Sequence, residues 1–169
     1  MKSRLVAPMQ LNQKITINAP KEKVWEVFND QSLLSKWTHD VQSTTYDERM
    51  ASPGNLRKNV CIVEGKEGKI ETRCIAMFNK DRAEFQVEKD TFGLTKMLHN
   101  MSFAAEFHEL DPNKTEFVMQ SHYSPKNFLL KLMNPFIKKK MGKAVDIMNL
   151  GLKEFIETGN PNMLNPINK

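Results

Sequence analysis

Apolar residues recur at steps of three and four across residues 127–158, NFLLKLMNPFIKKKMGKAVDIMNLGLKEFIET. Ile137, Met141, Val145, Met148, Leu152 and Phe155 share one face, which is the spacing of an amphipathic helix. Lys138, Lys139, Lys140, Lys143, Asp146, Asn149, Lys153 and Glu157 fill the other face, and Gly159 is placed to stop the helix in a left-handed cap. Pro135 either starts this helix or kinks a longer one beginning near Pro125, because proline suits a first turn and disrupts an interior. The pattern favours a short helix, a kink and then a long helix. No other segment is a comparable helix, so a sheet must cover the apolar stripe. Met133, Met141 and Met148 are flexible and polarisable, and read either as ordinary core or as the lining of an adaptable apolar cavity.

The rest of the pattern supplies that sheet. Residues 11–18 alternate Ile15 and Ile17 with Lys14 and Thr16, a strand ended by Ala19 and Pro20. A short helix over 20–28 turns Val24, Val27, Phe28 and Trp25 inward, and a second over 32–37 is capped by Asp30 or Ser32. Trp37, near its end, reads as structural, with its indole N–H as the group able to face a cavity. From residue 41 to 123 the period is two. Strands are predicted at 41–48, 56–64, 69–79, 82–89, 96–110 and 115–123, with polar turns at 65–68, 79–81 and 111–114. Ile70, Cys74, Ala76 and Phe78 share one face of their strand. Ala83, Phe85 and Val87 share a face of the next, and Met97, His99, Met101, Phe103, Ala105 and Phe107 share a face of the long strand after it. Phe117, Met119 and Tyr123 do so in the last, opposite Glu116, Gln120 and His122. Short turns between successive strands predict an antiparallel meander with one wet face and one dry face, the dry one beneath the long helix.

Residues 1–10 read as irregular, 11–159 as one domain, and 160–169, with Pro161 and Pro166, as a mobile tail. Composition changes this picture little. The 169 residues are 40% hydrophobic, with 10 Phe and 11 Met, which suits a soft interior. The net charge of +5 does not imply nucleic acid, and none is expected as a partner. No apolar run follows the basic start MKSR, and none approaches the roughly 18 residues of a spanning helix, so a soluble, cytoplasmic protein is expected. Cys61 and Cys74 are expected as thiols, although a hairpin turning near Glu67 and Gly68 would set them opposite each other.

The order of strand, two short helices, six-strand meander and long C-terminal helix resembles the START-like superfamily, also called SRPBCC or helix-grip, and within it the polyketide cyclase/dehydrase branch. The residues that carry the resemblance are ITINAP at 15–20, Val24 and Trp25 with Phe28, LSKW at 34–37, and LLKLMNP at 129–135 followed by the basic helix. The resemblance covers roughly residues 13–159. It implies an α+β fold in which a seven-stranded antiparallel sheet curls around the long helix, with two short helices between strands 1 and 2. It also implies an apolar cavity between sheet and helix, in a superfamily whose members bind lipids, sterols, polyketides or other hydrophobic molecules, and of which some cyclise or dehydrate them.

Three functional expectations follow. In the first, a small hydrophobic molecule is bound by Phe78, Phe85, Met101, Phe103, Phe117 and Met119 of the sheet against Met141, Val145 and Met148 of the helix, with Trp37, His99 and Tyr123 at the same site. In the second, a cyclase or dehydratase uses His99, Tyr123 or Arg73 as its polar group. Phosphate loops, metal-spaced cysteines, HExxH and GxSxG are all missing, and the inward faces read as almost wholly apolar, so binding is favoured over catalysis and no cofactor or metal is expected. In the third, an anionic membrane is met transiently through Lys138, Lys139, Lys140 and Lys143. These lysines follow Lys126 and Lys131 without an intervening carboxylate, on a segment carrying Phe128, Leu129 and Phe136.

Overall fold

The computed structural model describes residues 2–168. The prolines and glycines set the ends of the helices. Pro20 precedes α1 (Lys21–Asn29), and the Asp30 carboxylate accepts from Ser32 N–H to start a 3-10 turn, Gln31–Leu33, that runs into α2 (Leu34–Trp37). β1 (Met9–Ile17) lies before them. β2 (Val41–Tyr46), β3 (Leu56–Val63), β4 (Lys66–Phe78) and β5 (Arg82–Asp90) follow, then the single turn α3 (Leu94–Met97), β6 (Leu98–Asp111) and β7 (Lys114–Pro125). The chain ends in α4 (Phe128–Leu132) and α5 (Asn134–Thr158). Pro135 sits in the first turn of α5, and Gly159 holds the left-handed C-terminal cap at φ 76°.

All seven strands form one antiparallel sheet in the order β1-β7-β6-β5-β4-β3-β2. The meander accounts for six of them, and β1 closes the set by pairing with β7, Ile15 opposite Phe117. The turn after β3 is tighter than the predicted 65–68. Val63 pairs with Lys66, and the two residues between them, Glu64 (φ 51°) and Gly65 (φ 77°), have the left-handed geometry of a two-residue hairpin. Gly68 is therefore inside β4, where the ring of Phe92 lies directly over it and leaves no room for a Cβ.

Phe28 is the hub of the core. Its ring meets Trp37 at 5.9 Å, Phe85 at 6.1 Å, Phe107 at 5.5 Å and Phe117 at 5.3 Å between centroids. Leu152 of α5 is completely buried against this cluster, and Val145, Met148, Phe155 and Ile156 pack around it.

Both ends of the chain depart from expectation. The outer face of the sheet is not wholly wet, because residues 2–8 run over it. Arg4 N–H donates to Glu84 at 2.8 Å, the Ala7 carbonyl meets His122 Nδ1 at 3.1 Å, and Glu84 and Ala104 beneath are fully buried. Residues 160–168, expected to be a mobile tail, are packed on α2 instead. Asn162 donates to Trp37 O, and Asn165 donates to Ser35 O, Thr38 O and Val41 O, so asparagine side chains satisfy the carbonyls that α2 leaves open at its end. Met1 and Lys169 lie outside the described residues.

Candidate ligand-binding site

The long helix is fastened along one side. Gln13 of β1 donates to Gly142 O at 2.9 Å and to Asp146 at 2.5 Å, Lys153 donates to Thr16 O at 2.7 Å, and Asn18 N–H donates to Glu157 at 2.6 Å. On the other side its N-terminal half meets the β3–β4 hairpin in one exposed ion pair, Lys140 with Glu64 at 2.9 Å. The lysine holds the Glu64 carboxyl below the usual range, first by its hydrogen bond and then by its charge. The helix is therefore held mainly against β1 and α2. Met141, Val145 and Met148 are half-buried beneath it, and Val63, Ile70, Phe92 and Phe103 are half-buried on the sheet side.

The expected lining residues divide into three groups. Trp37, Phe85, Phe117, Met119 and Tyr123 are buried in the core beside the site. The Tyr123 hydroxyl donates to Asn134 at 3.0 Å, and burial pushes its pKa up. Phe103, Val145 and Met148 pack against that core from its edge, with Phe103 stacked on Phe85 at 5.1 Å, and Met141 lies one turn further along α5.

Phe78 and His99 belong to the opposite face, which corrects the expectation that both point inward. The β4–β5 register shifts between Cys74 and Ala76, so Met77 takes the inner position opposite Ala83 and Phe78 turns outward opposite Arg82. The β6–β7 register shifts between His99 and Ser102, with Asn100 at φ 50°, and His99 is exposed on the side of His122. His99 and Met101 border a surface depression of about 340 Å³ with Gln86, Thr95 and Lys126. Phe78 borders another of about 470 Å³ with Arg82, Glu106 and His108. Neither depression lies between α5 and the sheet. Arg73 is also outside, paired with Glu88 and donating to Gly54 O at 2.6 Å, so His99, Tyr123 and Arg73 do not converge.

The inner face is also less apolar than the sequence pattern suggests. In β3 the buried residues are Arg57, Asn59 and Cys61, while Leu56, Val60 and Ile62 are only half-buried. The Arg57 guanidinium carbon lies 5.0 Å from the Phe85 centroid and 5.8 Å from that of Phe103. Thr72 stands opposite Arg57 in β4 and is buried. Cys61 pairs with Gly68 and Cys74 with Phe85, so the thiols are not opposite each other, and both are free. Burial pushes the Cys61 thiol up to about 12 and the Cys74 thiol up to about 11, which leaves both protonated and poorly nucleophilic.

Residues 8–154 match the family described as polyketide cyclase / dehydrase and lipid transport. The chain belongs to that family. Its START-like fold is shared by solved structures of low identity. A START superfamily protein from Mycobacterium smegmatis is 11% identical at a TM-score of 0.72, covering 90% of this chain and 100% of its own. Norcoclaurine synthase from Thalictrum flavum, solved with dopamine and hydroxybenzaldehyde, is 10% identical at a TM-score of 0.69, covering 92% of this chain and 91% of its own. A protein from Thermus thermophilus is 18% identical at a TM-score of 0.66, covering 90% of this chain and 99% of its own. At these identities the likeness is one of fold. No curated protein matches the chain in sequence. Membership in the polyketide cyclase / dehydrase and lipid transport family supports a ligand-binding role in general. Among the described residues no helix is long and apolar enough to cross a membrane.

Proposed function

We propose that this chain binds and carries a small hydrophobic molecule, of lipid or polyketide kind, between α5 and the inner face of the sheet. The observation that carries the reading is apolar surface left half-buried on both elements, Met141, Val145 and Met148 on α5 and Val63, Ile70, Phe92 and Phe103 on the sheet side. Apolar surface left partly in water on both elements is surface that a ligand can cover. At about 25 cal/mol per Å², a ligand burying about 200 Å² gains about 5 kcal/mol before the cost of association. Methionine on the helix side adapts to more than one ligand shape. The reading is tested by displacement of an uncharged fluorescent probe, N-phenylnaphthylamine, from wild type and from Met148→Trp. Binding by the wild type that weakens in the variant supports it, and a wild type that binds no apolar probe rejects it.

A second observation adds a place of delivery. Phe128 is 75% exposed, Leu129 65%, Leu132 64% and Phe136 71%, all around the α4–α5 junction where Lys126, Lys131, Lys138, Lys139, Lys140 and Lys143 are also found. Protruding apolar side chains among lysines suit an anionic bilayer surface, where the rings enter the interface and the ammonium groups meet headgroups. The carrier would load and unload with this junction against the membrane, next to the exposed Lys140–Glu64 pair. A cytoplasmic location is part of the same reading, and two free, buried thiols fit it.

A further inference from the structure

Arg57 is a group that a purely apolar carrier does not need. It is 7% exposed, its Nε is buried without a hydrogen-bond partner, and no carboxylate among the described residues pairs with it. Burial pulls its guanidinium down to about 10, so it remains charged at neutral pH. The rings of Phe85 and Phe103 offset part of the cost of burying that charge, but a ring face is not a counter-ion. On the same face two residues along the strand, Asn59 accepts the Thr44 hydroxyl on its amide oxygen at 3.0 Å, which leaves its N–H groups available as donors. Phe103, whose ring centroid lies 5.8 Å from the guanidinium carbon, is itself half-buried on the same inner face of the sheet. The cation therefore stands at the inner wall of the proposed apolar site, with unused donors and no anion.

We propose that the bound molecule is an amphipathic acid, its apolar body along the methionine face of α5 and its carboxylate against Arg57, with the Asn59 amide as a second donor. This rests on the reading of the helix–sheet space as an apolar ligand site and names the chemical class that fills it. A carboxylate beside a guanidinium in a site poor in water forms short, charge-assisted hydrogen bonds, and it also supplies the missing counter-charge. Specificity then comes from the acid group, because apolar surface discriminates by shape alone.

The test is displacement of N-phenylnaphthylamine from the full chain at neutral pH by decanoate and by decanol, which share a chain and differ in the head. The expected result is that decanoate displaces the probe at a concentration about tenfold or more below that needed for decanol. In Arg57→Met the preference is lost while decanol still binds, and Arg57→Lys retains part of it. Equal displacement by the two in wild type overturns the acid subsite and leaves the apolar site standing. A preference for decanoate that survives in Arg57→Met removes Arg57 from the account. Failure of both compounds and of the probe to bind rejects the apolar site itself.

Discussion

The main-chain carbonyl of Trp37 lies against the Cα of Gly151, so α2 and α5 meet backbone to backbone. A Cβ at Gly151 would collide with that carbonyl and with the Asn162 side chain, which is itself held by Trp37 O at 3.1 Å. The carbonyl cannot move without separating the helices. Gly151→Ala is expected to lower stability by about 1–3 kcal/mol, seen as a lower denaturant midpoint at an unchanged slope.

Arg57 gives the opposite sign. A buried guanidinium without a counter-ion weakens the folded state, and an apolar replacement of similar volume relieves that cost. Ligand-free Arg57→Met is expected to be more stable than wild type by about 1–3 kcal/mol, measured by denaturant unfolding after ligand is stripped. A loss of stability of the same size would mean that the side chain is held for packing.

Acid should unfold the protein through particular carboxylates. Burial raises the pKa of Asp30, but hydrogen bonds from Arg49 and Ser32 outweigh it and hold the carboxyl below its ordinary value. Asp90 is held down in the same way by Thr95 and Leu94, whose N–H groups it accepts at 2.7 and 2.8 Å. A carboxyl depressed in the folded state takes up its proton first in the unfolded chain. The stability it supplies is present above the unfolded pKa, about 4, and is lost as pH falls through the folded value. Asp40, which burial pushes up against the pull of His39, works in the other direction. The unfolding free energy is expected to be flat near neutrality and to fall below about pH 4, with Asp30→Asn and Asp90→Asn each flattening the fall.

Membrane contact should depend on both kinds of side chain at the α4–α5 junction. Co-sedimentation with anionic vesicles and not with neutral ones is expected at low salt, weakening as salt is raised. Each charge removed among Lys138, Lys139, Lys140 and Lys143 should weaken binding by about fivefold, and Phe128→Ser with Phe136→Ser should weaken it further without lowering stability, because both rings are already in water.

The helices and the meander are legible in the sequence because their signals are local. Pro20, Pro135 and Gly159 act within one turn, and alternation within a strand needs no partner. What the sequence hides is non-local or a matter of parity. A single extra residue near Ala76, and another near Asn100, sends Phe78 and His99 to the outer face, and neither leaves a mark in the alternation of apolar residues. In β3, Leu56, Val60 and Ile62 form an apolar set as regular as Cys61 and Val63 with Arg57 and Asn59, so the inward polar face is not the one that periodicity favours. His122 reads as solvated because nothing in the strand announces that residues 2–8 will cross over it. The asparagines after Gly159 resemble a tail because their partners, the carbonyls of α2, are more than a hundred residues away.

The space between α5 and the sheet is most directly tested by NMR of methyl-labelled methionine during titration with decanol, whose neutral head makes no demand on Arg57. Saturable shifts at Met141 and Met148, with Met9, Met50 and Met163 unmoved on the exposed surface, are the predicted result. Unmoved Met141 and Met148 at saturating decanol, or shifts confined to Met101 beside the outer depression, would contradict it.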